Sequence, residues 1–561
     1  MSGDENSTLY CEINKTKLFN NSANRGGAIG LGGITIFKIN KCEIDNNHSV
    51  NEGGGISSWG TDSIFIDNTT FNENVSLNGN WNSGGALRYG GDVGNNYYCK
   101  ITNSNFTNNS SKRAGAILAF NGSTLDIIES NFNNNQAIGG NAGAILINKY
   151  GKLNILKSEF VNNSGRYGGA ILYDGSSLSI SNSSFKYNSS NGSSAGAINA
   201  GKTDNSVVGN ILINDSEFIG NYNESHTGAL RITSSDTTII KHTVIDSNET
   251  ERYAGGSNIS NTKYLEIDSS TITNNMANGD AAGLAFSRID EGLIKNSIFA
   301  NNIMKDADAD TSFGAGLTLW GHANIKSINN TFVGNKAYKA SAIGVRDSSN
   351  LELVNTIIWD NPGTTQLGLY IDGTLTAKNS VIGDGKASID MDDMSKITSY
   401  DDQTMIETNP LLCDYWSGSW PQLAGNYHLT YLSPAIGKGE NGVNMGAFDV
   451  GCDIDTALLS VDELIDVTPT EYALHDNYPN PFNPTTTLRF DLPEVSSITL
   501  TIYNMLGQRV RTFNMNDTPA GYHSIKWNAT NDYGDPVGAG VYLYQLQANQ
   551  YVKTRKMVLL K

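Results

Sequence analysis

Apolar and polar residues alternate with period two in short bursts, and the bursts return every 26 to 33 residues along most of the chain. Two phrases carry this repeat. One is a small-small-Ala-aliphatic strand start, as in Gly26-Gly27-Ala28-Ile29, Gly84-Gly85-Ala86-Leu87, Ala114-Gly115-Ala116-Ile117 and Gly168-Gly169-Ala170-Ile171, continuing loosely near Gly256, Gly283, Gly316 and Ala342. The other is an aromatic or aliphatic residue with Asn three places later: Phe71/Asn74, Phe106/Asn109, Phe132/Asn135, Phe160/Asn163, Phe185/Asn188, Phe218/Asn221, Phe299/Asn302 and Phe332/Asn335. Leu18, Ile44, Ile245, Ile272 and Ile358 hold the same register. Apolar residues recur five and seven places before this position, and a small polar residue, often Ser, two places before it.

One repeat of about three short strands cannot bury a core. Stacked at about 4.8 Å per rung it can, with Phe over Phe, Ser over Ser and Asn over Asn. Parallel strands joined by crossovers are right-handed in nearly all cases. The expected fold is therefore all-β: a right-handed parallel β-helix, a solenoid of roughly thirteen rungs and on the order of 60 Å long, followed by a small immunoglobulin-like β-sandwich. The expected boundaries are 1–452 for the helix, with a closing cap over about 380–452, 453–470 for a linker, and 471–561 for the sandwich.

Composition fits this picture. Only 17% of the 561 residues are charged, while 59 are Gly and Asn is abundant, which suits many tight turns needing positive φ. A formal net charge of −18 argues against a nucleic-acid partner. No apolar run is long enough for a transmembrane helix. No signal peptide precedes Met1-Ser2-Gly3-Asp4, so an exported chain of this kind is expected to be a fragment or processed form. The five cysteines show no metal-ligand spacing, and Cys11, Cys42 and Cys99 are expected as small core residues.

From Leu18 to Asn361 the paired phrases resemble the repeats of polymorphic outer-membrane proteins, whose passenger regions are β-helical adhesins of the pectate-lyase-like architecture. The β-barrel translocator of that family is absent from this chain, so its export route must differ. Between Asn409 and Phe448 the chain looks like the closing rungs of secreted β-helix proteins; Cys413 and Cys452 bracket this segment and are expected to pair in an oxidising exterior.

After the linker the sequence changes character, with alternating runs such as Ile498–Tyr503 and Val541–Leu546 between Gly, Pro and Asn breaks. This region resembles the C-terminal sorting domain of type IX (Por) secretion substrates. The matching residues are Tyr478, Pro479, Asn480, Pro481, Phe482, Asn483 and Pro484, then Asn504–Val510 with Gly507, Ala520–His523, Gly540 with Tyr542, and the close Lys553–Lys561 ending in Lys561. The resemblance implies passage through an outer-membrane translocon and attachment outside a Gram-negative cell, with the secretion and surface-attachment machinery as partners.

For chemistry, the residues favour a non-catalytic adhesin or scaffold for glycan or matrix, with a polysaccharide lyase or glycoside hydrolase as the alternative. Cleavage needs paired carboxylates, or calcium with a base. The strand after the glycine phrase offers mainly Ser57, Leu118, Leu146, Leu172 and Asn199, with Arg88 and Arg231 as exceptions. Arg231, Lys241 and His242 together have the makings of a clamp and a base. No cofactor is required, although Asp306, Asp308 and Asp310 have the spacing that opens a calcium loop. Trp59, Tyr89, Phe120, Tyr173 and Trp320, four or five residues after the reference glycine, form a candidate ridge for stacking sugar rings if they share an edge of the rod.

Overall fold

The computed structural model describes residues 9–560 except 34, 78–82, 202–207, 280, 306–312, 415–425, 453–470, 476, 478–479 and 485. The described part divides into two compact units. The first holds residues up to 410 together with 437–447, and the second holds 411–414, 426–436 and the described residues from 448 onward. The closing segment expected over about 380–452 is thus shared between them.

The first unit is a stack of parallel coils. One coil runs through Ile117–Phe120, Thr124–Ile128, Asn131–Asn133 and Gln136–Ala137, four short strands where three were expected. Each strand pairs in register with its equivalent one coil on, so that Leu125 faces Leu153 and Phe132 faces Phe160. The third strands form a fourteen-stranded sheet and the fourth an eleven-stranded one. The first two merge into one sheet because Leu230–Lys241, Ser257–Asp268 and Leu284–Lys295 run through the corner as single strands.

Single residues in the left-handed region turn the corners. Asn103 (φ 49°) and Asn108 (φ 56°) flank one such strand, and Asn134 and Asn162 repeat the second corner in later coils. This explains the abundance of Asn, the non-glycine residue that best tolerates this conformation. Close approach of successive coils demands glycine in the small-small phrase: a Cβ on Gly115 would sit 1.9 Å from the carbonyl oxygen of Gly143.

Inside, the rings of Phe71, Phe106, Phe132, Phe160, Phe185 and Phe218 stack nearly parallel with centroids 4.6–5.0 Å apart. Beside them runs a buried asparagine ladder. The Asn163 Oδ1 accepts from both the backbone N and Nδ2 of Asn135, at 3.0 Å each, while its own Nδ2 donates to Phe132 O and to Asn188 Oδ1. Every polar atom of the amide is satisfied without water. Gln366 terminates the ladder, its Oε1 accepting from Asn361 N and Nδ2. The serine column works similarly: Ser130 Oγ accepts from Ser104 N and donates to Ile128 O. Cys42 takes the same place, its Sγ accepting from Thr16 N and donating to Asn40 O.

The last coil is closed by Ile389–Met391, Lys396–Tyr400 and a bridge from Val381 to Ile406. Residues 437–447 then strap the last rungs laterally, through Glu440 N to Asn355 Oδ1 (2.7 Å), Ala447 N to Thr331 Oγ1 (3.0 Å) and a Lys378–Glu440 ion pair (2.8 Å).

In the second unit Leu412–Asp414, Asn426–Thr430 and Val450–Cys452 form a small sheet. Cys413 and Cys452 are joined there, Cα to Cα 5.8 Å. Ala473–Leu474, Thr486–Leu492 and Gly521–Trp527 make one face of an antiparallel sandwich. Arg509–Thr518, Ser496–Asn504, Gly540–Ala548 and Tyr551–Leu559 make the other. Phe490, Leu500, Trp527, Tyr544 and Met557 fill the space between them.

Replacing Asn163 by Ala strands donors of Asn135 in a dry interior, and is expected to cost about 3 kcal/mol. Asn162→Gly, one residue earlier at an exposed left-handed corner, should cost almost nothing. Urea unfolding of the two variants beside the parent checks the contrast.

Candidate ligand-binding groove

Strand alternation divides the expected aromatic ridge between two faces. Tyr89 pairs with Ala119, and Tyr173 with Ile147 and Ala200, in an inward column. Both tyrosines are buried in the main core, where Tyr89 OH donates to Thr124 O and Tyr173 OH to Gly151 O. Trp59, Phe120 and Trp320 fall one residue later and face outward. A slip of one residue reverses the face, which is why "four or five after the glycine" does not define an edge. Of the outward three, Phe120 is covered, its ring 4.3 Å from the Arg88 guanidinium and 5.7 Å from the Trp59 ring, which itself lies 4.8 Å from that guanidinium. Trp320 lies half-buried against Arg346 at 5.2 Å. These five aromatics therefore do not form one continuous ridge.

Asp306, Asp308 and Asp310 lie outside the described residues, as do Tyr478, Pro479 and Lys561. Among the described residues no group of three or more His, Cys, Asp or Glu is placed to hold a metal ion. Lys241 and His242 do not assemble a clamp and base with Arg231: Lys241 pairs with Glu266 at 3.0 Å and His242 with Asp215 at 3.5 Å.

The remaining sorting-motif residues build the sandwich. Phe482 is buried against Trp527, its N donates to Val558 O, and its carbonyl accepts from Leu560 N. Asn480 Oδ1 accepts from Val558 N at 2.9 Å. The opening motif is therefore zipped to the last strand, which gives a physical reason for the two motifs to travel together. Gly507 (φ 76°) turns the Asn504–Gln508 hairpin, and Tyr542 packs on Trp527 while its OH donates to Gly538 O.

A groove of about 590 Å³ lies along the second-strand face of the rod, lined from six successive coils. This is within the range of small-ligand sites. Its lining comes from two outward columns, Tyr264, Glu291, Asn324, Asn350 and Thr374 in one, and Leu293, Lys326, Glu352 and Thr376 in the next. These residues stand eight and six places before the Phe or Ile of the repeat. The apolar positions at minus five and minus seven point inward between them. The signal was thus present in the repeat, at the positions its apolar pattern leaves polar.

The groove is hydrogen-bonded along its length. Asn350 Nδ2 donates to Asn324 Oδ1 at 2.6 Å, Thr374 Oγ1 donates to Asn350 Oδ1, and Asn324 Nδ2 donates to Asp290 O. Lys326 and Glu352 pair at 2.8 Å. Below Tyr264, whose OH donates to Glu266, burial alone would raise the Glu266 carboxyl, but hydrogen bonds from Lys241 and Lys295 outweigh it and hold Glu266 below the usual range. Burial and the same carboxylate push the Tyr264 phenol up. Glu266 is accordingly an ionised acceptor rather than a proton donor at neutral pH.

The surrounding field is acidic. Residues 471–561 hold eight Lys and Arg against seven Asp and Glu, so 1–470 carry a formal −19 of the total −18.

Residues 258–409 match the family described as right handed beta helix region, and residues 480–551 match the FlgD Ig-like domain. The rod is a right-handed parallel β-helix. Its C-terminal partner is an Ig-like domain of the FlgD type. Among solved structures the chain is similar to dimeric latent PorU of Porphyromonas gingivalis, at 24% identity and TM-score 0.15, over 17% of this chain and 10% of that one. It is also similar to PorZ, a surface component of the type IX secretion system of the same species, at 21% identity and TM-score 0.13, over 18% and 12%. The chain thus covers about a tenth of either protein, and at these scores neither likeness carries an argument about function. No curated protein matches the chain.

The disulfide gives a direct check. Alkylation of native protein without reductant should leave Cys413 and Cys452 unlabelled, and Cys99 too, since burial pushes its thiol well up. Reduction should expose the first two and lower stability by about 2–4 kcal/mol. Labelling of both before reduction would refute the pairing.

Proposed function

We propose that the β-helix is a non-catalytic, surface-displayed rod that binds a neutral glycan in the groove lined by Tyr264, Asn324 and Asn350, exported by the type IX route through its C-terminal domain. The observation that carries the binding half is the strip of amides and hydroxyls of Asn324, Asn350, Thr374 and Thr376 beside the Tyr264 ring and the apolar Leu293 and Ile325, with Lys326 and Glu352 neutralised against each other. Sugar hydroxyls both donate and accept, as do these groups, and the acidic rod disfavours polyanions at long range. The export half rests on the ordered motifs from Asn480 to the C-terminal strand.

One observation favours a second reading, a glycoside hydrolase at the same place. Asp290 and Glu291 both line the groove, and neither makes an ion pair among the described residues. Hydrolysis by two carboxylates requires such groups on either side of a bond.

Calorimetry with a panel of neutral oligosaccharides is expected to show binding that weakens about tenfold in Tyr264→Ala or Asn350→Ala, the loss of one good contact. Reducing ends should not accumulate with the parent or with Glu291→Gln. Product release abolished by Glu291→Gln would establish the hydrolase instead. For export, a reporter fused to residues 471–561 should reach the outside of a bacterium carrying a type IX system; retention of the fusion would sink that half.

A further inference from the structure

Arg88 and Arg231 occupy the same outward column of the first-strand face, where other coils place Leu118, Leu146, Asn199 or Asn258. Their surroundings differ. Arg88 is fully covered, lies 3.5 Å from Glu52 and donates to Ser58 O at 3.0 Å, with the Trp59 and Phe120 rings both against its guanidinium and its Nε and Nη2 without partners. Arg231 is largely desolvated as well; among the described residues its only hydrogen bond is from Nη1 to Asn199 Oδ1 at 3.4 Å, and its buried Nε–H, like that of Arg88, has no partner. Among the described residues no carboxylate pairs with it. An unpaired guanidinium so placed is costly unless an anion completes it.

Two carboxamides, a histidine and a second arginine stand near Arg231. Asn199 and Asn258 flank it in register and are nearly buried. His226, in the turn leading into the strand, packs its ring tilted against Tyr253 with centroids 4.8 Å apart, and Arg252 lies over the same tyrosine ring at 5.5 Å. Burial, then Arg231, then Arg252 push the His226 imidazole down to about 4, so it stands neutral and adds no charge of its own. Unlike Arg88, Arg231 keeps part of its surface open to solvent.

We infer that Arg231, with Arg252 and the carboxamides of Asn199 and Asn258, forms an oxyanion site that takes the carboxylate or sulfate of an acidic sugar. The guanidinium fork suits either group, and the unpartnered Nε–H with one Nη–H is the pair such an anion bridges. A single anion seated here gains direct contacts, whereas the acidic rod repels a polymer charged along its length. The site is on a different face from the groove and independent of it.

The test is an NMR titration of the full chain at pH 7, following the His226 ring, with glucuronate, glucose 6-sulfate and glucose. Either acidic sugar should shift the His226 signals and glucose should not, and the stronger of the two identifies the source of the anion. Arg231→Gln should lose at least tenfold in affinity, and Arg231→Lys should retain part of it. Arg231→Gln should melt no lower than the parent, because it removes a buried unpaired charge; an arginine kept for structure would lower the melting point. Asn350→Ala should leave this binding unchanged, so failure here and failure of the groove are separately visible. Equal shifts with glucose, no shift with either acidic sugar, or unchanged affinity in Arg231→Gln would overturn the proposal.

Discussion

Register between successive coils is the constraint from which the rest of the rod follows. Each strand is two to five residues long in most coils, too short to persist alone, and gains its hydrogen bonds almost entirely from its equivalents above and below. The asparagine ladder enforces that register chemically. Each Oδ1 takes two donors from one neighbouring coil and each Nδ2 satisfies two acceptors, so a slip would leave up to four buried polar groups unpaired per coil. The phenylalanine stack is tolerant by comparison. Ile245 and Ile272 interrupt it without disturbing the coil, whereas asparagine continues through Asn248 and Asn275.

The same register turns the surface into columns. An outward residue is flanked by its equivalents roughly 4.8 Å away, so binding features arise from the order of residues along a column. The Tyr-Glu-Asn-Asn-Thr series from Tyr264 to Thr374 is a continuous polar strip because five coils agree at one position. Arg231 stands alone between two asparagines because its neighbours in the column do not repeat it. Charge differs in the same positional way: Arg88 meets Glu52 from the preceding turn, and Arg231 meets His226 and Arg252.

In the C-terminal domain, residues that resemble a recognition motif also hold the fold. Asn480, Phe482 and Tyr542 make core or edge contacts, while the Met505 and Leu506 side chains at the hairpin tip stand in solvent. A motif of this kind is constrained by folding first, and its agreement with a sorting family speaks to the sandwich as much as to export.

The repeat by itself determined the coil and the three internal ladders, because each is a local pattern repeated until chance is excluded, and the alternating runs between Gly, Pro and Asn breaks determined the C-terminal sandwich. The pairing of Cys413 with Cys452 was legible from their places at the two ends of the closing segment. The repeat did not determine the faces of isolated side chains. Tyr89 and Trp59 differ by one place within their coils, and only the folded register shows that one lies in the core and the other outside. Nor did it reveal that Arg231 lacks the counter-ion Arg88 has. That depends on which turn folds over which strand, and the turns are where the repeat varies in length and carries no pattern to read.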